Sequence, residues 1–172
     1  MDPSNSRALV GVSIVFGFLA WGVVTVRYLW PKLRTLPREE GLAALLTLHA
    51  FRFVGLAFLM PGVVRPDLPA AFARPAAYGD LIAAILALLA LAVLRTSWGA
   101  AVVWLFNILG SADLIYAFYN GFVAVRLPPG SLGAAIIIPT VIVPLLILTH
   151  GLIFRLLVEA RGTCVVKGMP RN

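Results

Sequence analysis

The stretch Gly41–Val64, GLAALLTLHAFRFVGLAFLMPGVV, decides how the rest of the chain is understood. It is apolar enough to cross a bilayer as a helix, yet it carries His49 and Arg52 well inside. An ionisable side chain at that depth is costly unless a partner or cavity receives it, so both residues should face protein rather than lipid. Positions three apart fall on one face of a helix, which points His49 and Arg52 the same way.

Composition extends this reading to the whole chain. Of 172 residues, 61% are hydrophobic and 12% charged, and the mean hydropathy is +0.98. That leaves too few polar residues to cover a globular surface. The expected fold class is all-α, a five-span transmembrane helical bundle forming one domain, with spans at about 8–28, 41–63, 75–94, 98–119 and 131–157.

The punctuation between spans sets these limits. Tyr28 and Trp30 mark the interface of the first span and Pro31 ends it; no small-residue cleavage pattern follows, so the span reads as uncleaved. Ser13 and Gly17 give it a face for close helix packing. Met60-Pro61-Gly62 ends the second span, and Val63–Arg74, with Pro66 and Pro69, reads as a loop outside the hydrocarbon. The third span is started at Pro75, a favoured first helical position, because a start after Asp80 leaves it too short to cross. Asp80 then sits about 7 Å inside the helix start, where the helix dipole favours a carboxylate. Arg95–Trp98 is a tight hairpin and Asn120–Gly130 a turn-rich loop. In the fifth span Pro144 leaves the Thr140 carbonyl without its donor, which predicts a kink there. Beyond it, residues 158–172 read as a polar tail.

A net charge of +7 would point to nucleic acid in a soluble domain. Here the basic residues flank apolar runs, so no nucleic-acid partner is expected and membrane lipid is. Arg27, Lys32, Arg34, Arg38, Arg95, Arg155, Arg161, Lys167 and Arg171 fall on one side, against Arg7, Arg65, Arg74 and Arg126 on the other. Short loops rich in Lys and Arg stay cytoplasmic, which puts the N-terminus out and the C-terminus in. The lone Cys164 then reads as a free thiol in a reducing compartment.

With sides assigned, depths can be compared. His49 and His150 both lie roughly 11 to 12 Å from the cytoplasmic ends of their helices. Arg52 and Asn107 fall near the midplane, and Asp80 and Asp113 toward the outer side. The candidate site residues are therefore His49, Arg52, Asn107, Asp113, His150 and Asp80. Each also has an architectural reading. Arg52 can pair with Asp113 or Asp80, or hold a ligand carboxylate or phosphate in its planar fork. Asn107 and Ser111, four apart, can hydrogen-bond between helices, and so can either imidazole.

No GxGxxG, GxxxxGK, HExxH, CxxC or GxSxG occurs, so nucleotide, zinc-protease and serine-hydrolase chemistry lack their parts and no enzymatic activity is assigned. Two histidines without a thiolate make a weak zinc site, whereas a six-coordinate haem b iron needs only two axial imidazoles, His49 and His150. Three functions stay open: a polar intramembrane site that binds or passes a small ligand, ion or proton; a structural or partner-binding membrane subunit; a bis-histidine b-type haem protein. Oligomeric state is not read from the sequence.

The segments LPAAFARPAAYGD (Leu68–Asp80), NILGSADL (Asn107–Leu114) and PTVIVPLLILTH (Pro139–His150) resemble those of small, uncharacterised bacterial integral membrane proteins of five helices. The resemblance covers about the last two-thirds of the chain. It implies a bacterial inner-membrane location and carries no activity.

Overall fold

The computed structural model describes residues 3–128 and 130–166, with side chains within 7–159. Five helices in them are long and apolar enough to cross a membrane: α1 (Arg7–Leu33), α2 (Arg38–Leu59), α3 (Ala70–Val93), α4 (Gly99–Ala124) and α5 (Gly133–Glu159). The chain is an all-α bundle. α5 is its central member, half buried along its most apolar stretch, whereas the same stretch of α1 is only 6% buried. α1 therefore lies at the rim, with Leu9, Phe16, Leu19 and Val23 turned outward.

Sequence explains the contacts. On α3, Ala73, Ala76, Ala77, Ala83, Ala84, Ala87 and Ala90 form a buried seam at helical spacing, with Asp80 in its middle. Small side chains let the neighbouring backbones approach closely, the packing available where lipid supplies no hydrophobic drive. Two apolar clusters close the ends. Leu42, Leu46, Ala87, Phe106, Ile153 and Leu157 fill the end near the α1–α2 and α3–α4 turns. Phe58, Phe72, Leu114, Leu132, Ile138 and Leu146 fill the opposite end. At that end the α2–α3 and α4–α5 loops are stitched together, Ala134 N donating to Val63 O (2.9 Å) and Arg65 N to Ser131 O (3.1 Å).

Several helix limits differ from the sequence expectation, each for a local reason. Pro31 does not end α1, which runs on to Leu33 because a π-helical turn, Thr25–Leu29, precedes the proline and resets the hydrogen-bond register. α3 starts at Ala70 rather than Pro75, so Arg74 and its neighbours are helical rather than loop. Pro75 cannot donate to the Ala71 carbonyl, and the Asn120 side-chain amide donates there instead, at 3.0 Å. The earlier start moves Asp80 from the first turns to about 15 Å along the helix, which ends its reading as an interfacial carboxylate. Asn120–Ala124 is a π-helical turn completing α4 rather than loop. The α-helix of α5 continues to Val166, so the expected tail is helical that far. Lys167 and Arg171, counted on the basic side, lie outside the described residues, as do the side chains of Arg161 and Cys164.

The kink expected near Thr140 takes the form of a π-helical turn, Ile138–Ile142, ahead of Pro144. α1 docks on it. Gly17 comes so close to the Thr140 carbonyl that a Cβ there would collide with it, and Trp21 Nε1 donates to Val141 O at 2.9 Å. Ser13, by contrast, turns its hydroxyl back to Leu9 O of its own helix.

Candidate functional site

The polar layer lies between the two apolar clusters, and a change of helix type in α2 builds its first wall. α2 is an α-helix over Arg38–His49 and a 3-10 helix over Ala50–Leu59. A 3-10 helix has three residues per turn, so residues three apart eclipse one another. His49, Arg52, Gly55 and Phe58 therefore form a straight buried stripe, while Phe51, Phe53 and Val54 face outward.

Arg52, 2% exposed, reaches from this stripe to three other helices. Its Nε and Nη2 each stand 2.8 Å from Asp80 Oδ1 on α3. Nη2 also donates to Asp113 Oδ2 on α4 at 2.6 Å, and Nη1 to the Gly110 carbonyl at 3.0 Å. His150 Nε2 on α5 lies 3.4 Å from Nη1. A guanidinium has five N–H groups and no acceptor, so this set engages all of them. Because Arg52 can only donate, His150 Nε2 is the acceptor. The imidazole proton then sits on Nδ1, which donates to Asn107 Oδ1 at 2.6 Å. Asn107 Nδ2 in turn donates to the His150 carbonyl at 3.2 Å.

His49 completes the layer on the side of the basic loops. Its ring lies against that of His150, tilted by 43° with centroids 4.2 Å apart, and Phe106 flanks both imidazoles. Thr149 Oγ1 is 3.1 Å from His49 Nε2 and within reach of the Leu145 and Leu146 carbonyls at 2.9 and 3.0 Å. The single hydroxyl proton goes to those carbonyls, so His49 Nε2–H donates to Thr149. His49 Nδ1 is buried with no hydrogen-bond partner among the described residues.

All six sequence-predicted residues thus meet in one network, although depth along the helices had separated them into three tiers. The tiers close because the Arg52 side chain reaches Asp80, Asp113 and His150 alike. Its counter-charge is both aspartates rather than one. Asn107 does bond between helices; Ser111 does not, since its hydroxyl donates to Asn107 O on its own helix at 2.6 Å.

Sequence reasoning missed three glycines that make the network possible. A Cβ on Gly55 would strike the Asp80 carboxyl, one on Gly79 would strike Asp113 Oδ1, and one on Gly110 would come within 2.8 Å of the His150 ring and 3.0 Å of Arg52 Nη1. The signal was in the spacing: H-x-x-R-x-x-G-x-x-F over residues 49–58, and a glycine beside or three before each aspartate.

Asp80 and Asp113 also line a cavity with ≈ 40 Å³ of room for water centres, otherwise walled by apolar side chains such as Phe58, Phe72, Phe118 and Phe122. By the space one water needs, this holds about three. Leu127 and Leu132 place its outer wall at the end where the α2–α3 and α4–α5 loops meet. Towards the basic end, the apolar cluster of Leu42, Leu46, Phe106 and Ile153 lies between the imidazoles and the loops.

The geometry does not fit a bis-histidine haem. An iron and its macrocycle would have to stand between the two imidazoles, and rings with centroids 4.2 Å apart leave no room for one. Both His150 nitrogens are already engaged, and no group of three or more His, Cys, Asp or Glu able to hold a metal occurs among the described residues.

A family model described as a domain of unknown function, DUF8737, matches residues 9–158. The chain belongs to the DUF8737 family. The matched range contains every member of the Arg52 network, so the cluster lies wholly within the DUF8737 domain. No curated protein and no solved structure matches the chain.

Proposed function

We propose that this membrane protein uses the Asp80–Arg52–Asp113 cluster to take up a small cation or a proton, entering from the end where the α2–α3 and α4–α5 loops meet. One observation carries the reading: two carboxylates share a single guanidinium whose N–H groups are all engaged, and both carboxylates line the cavity. With both ionised, the cluster holds one negative charge more than positive, in surroundings where an uncompensated charge is expensive. A proton or a cationic ligand balances it. The saturated guanidinium has no N–H left for an anion, which sets aside the carboxylate and phosphate ligands the sequence had allowed.

The same saturation favours a second reading, a structural or partner-binding subunit in which the network only locks four helices together. Thermal unfolding in detergent separates the two, measured across pH and with sodium, potassium and tetramethylammonium chlorides at constant ionic strength. Cation uptake requires the midpoint to respond to at least one of these in the wild type and to lose that response in Asp113→Asn. A wild-type midpoint indifferent to all of them, or an unchanged response in Asp113→Asn, leaves the structural reading.

The basic loops support an orientation with the C-terminus in the cytoplasm and the N-terminus outside, in a bacterial inner membrane. The cavity then faces outward. A C-terminal fluorescent reporter should light up and a periplasmic phosphatase fusion stay silent; the opposite pattern reverses the sides.

A further inference from the structure

Resting on the cation reading above, we infer that the occupant is a small organic ammonium ion rather than a bare metal ion. Among the described residues, the cavity offers a cation two oxygen-bearing side chains, Asp80 and Asp113. Hard cations take about six oxygens at close range, and the other described side chains lining this space carry none. The rest of the lining is aromatic and aliphatic. Phe58 and Phe72 pack edge to face with centroids 5.4 Å apart, and Phe118 and Phe122 stack at 5.6 Å, so two aromatic pairs line the space into which the carboxylates look.

An alkylated ammonium meets both halves of such a site. Its charge is spread over methyl or methylene groups that shed water cheaply and are attracted to ring faces, while the carboxylates balance the charge. A metal ion would give up part of its hydration shell to a wall whose other side chains are apolar and offer it no further ligand. The size of the space sets the scale of the ligand: room for about three waters suits a methylated amine or a compact quaternary head, not a drug-sized molecule.

Entry is set by the π-helical last turn of α4. Gly121 lines the cavity, and a Cβ there would press on Phe72 and Leu127 at 3.0 and 3.3 Å. Phe122, about half exposed, stands beside it. The ligand therefore approaches past Gly121 and Phe122, with Asp113 and Asp80 deeper inside.

The test is calorimetric titration of the detergent-purified full chain with tetramethylammonium, sodium and potassium chlorides, and with tert-butanol as a neutral molecule of similar size. Tetramethylammonium should bind saturably and at least about tenfold tighter than either metal ion, and tert-butanol should not bind. Asp113→Asn should weaken tetramethylammonium by about tenfold, and Phe118→Leu by a few-fold. Sodium or potassium binding without tetramethylammonium binding overturns the ammonium assignment and leaves the cation reading standing. So does tetramethylammonium binding no tighter than that of sodium or potassium. Equal binding of tert-butanol and tetramethylammonium, or binding by no cation together with an unresponsive unfolding midpoint, removes both. Should Asp113→Asn fail to fold, the wild-type comparison of tetramethylammonium with tert-butanol and the two metal ions decides the matter.

Discussion

Removing the Arg52 guanidinium should be the most damaging single change in the polar layer. Arg52→Met keeps the apolar stem and deletes the charge, stranding two carboxylates whose side chains are only 10% and 20% exposed. Breaking a buried ion pair from one side costs roughly 3–5 kcal/mol, because the remaining charge cannot return to water. The two aspartates should not contribute equally. Asp80 receives both Nε and Nη2 at 2.8 Å and is the more buried, whereas Asp113 takes one contact at 2.6 Å. Adding Asp80→Asn to Arg52→Met should therefore recover about 1–3 kcal/mol, and more than adding Asp113→Asn recovers. Reversible unfolding in mixed micelles of SDS and maltoside detergent gives the free energies for the cycle. A cost below about 1 kcal/mol for Arg52→Met, or simple additivity in both double variants, refutes the reasoning.

Asn120→Ala should cost about 1–3 kcal/mol by leaving the Ala71 carbonyl unpaired, and Pro75→Ala in the same chain should restore much of it by supplying the missing backbone N–H; thermal unfolding of the single and double variants shows whether it does. Gly55→Ala should destabilise by about 1–3 kcal/mol because its Cβ falls on the Asp80 carboxyl, whereas Gly22→Ala, with nothing within 4 Å, should be neutral or slightly stabilising in the same assay.

The five spans were legible because runs of apolar residues of that length have few other uses, and the cluster was legible because ionisable groups at depth need partners. What failed was punctuation. Pro31 and Pro75 read as boundaries because proline removes a donor, yet a π-helical turn accommodates the first and Asn120 compensates the second from another helix. A lone sequence window contains neither remedy. The geometry of the cluster was hidden for a related reason: depth counted along the helices treats side chains as points, and Arg52 is long enough to join levels that Cα positions keep apart. Gly55, Gly79 and Gly110 carried no chemical signal of their own, since their role is to leave space for another helix's side chain.

The 3-10 segment of α2 has a consequence for length. It rises about 2.0 Å per residue where an α-helix rises about 1.5 Å. With 12 α-helical and 10 3-10 residues, α2 is about 38 Å long, where an α-helix throughout would measure about 33 Å. Its neighbours have 24 to 27 residues, or roughly 36–40 Å as α-helices. The shortest span is thereby stretched to the measure of the others. Its far end is fastened beyond Met60, where Val63 is bonded to the start of α5 and Arg65 to the loop just before it. Rewinding the segment to α-helix would draw that end inward by about 5 Å against those bonds. The bundle holds α2 extended, and the extension keeps Arg52, Gly55 and Phe58 in line.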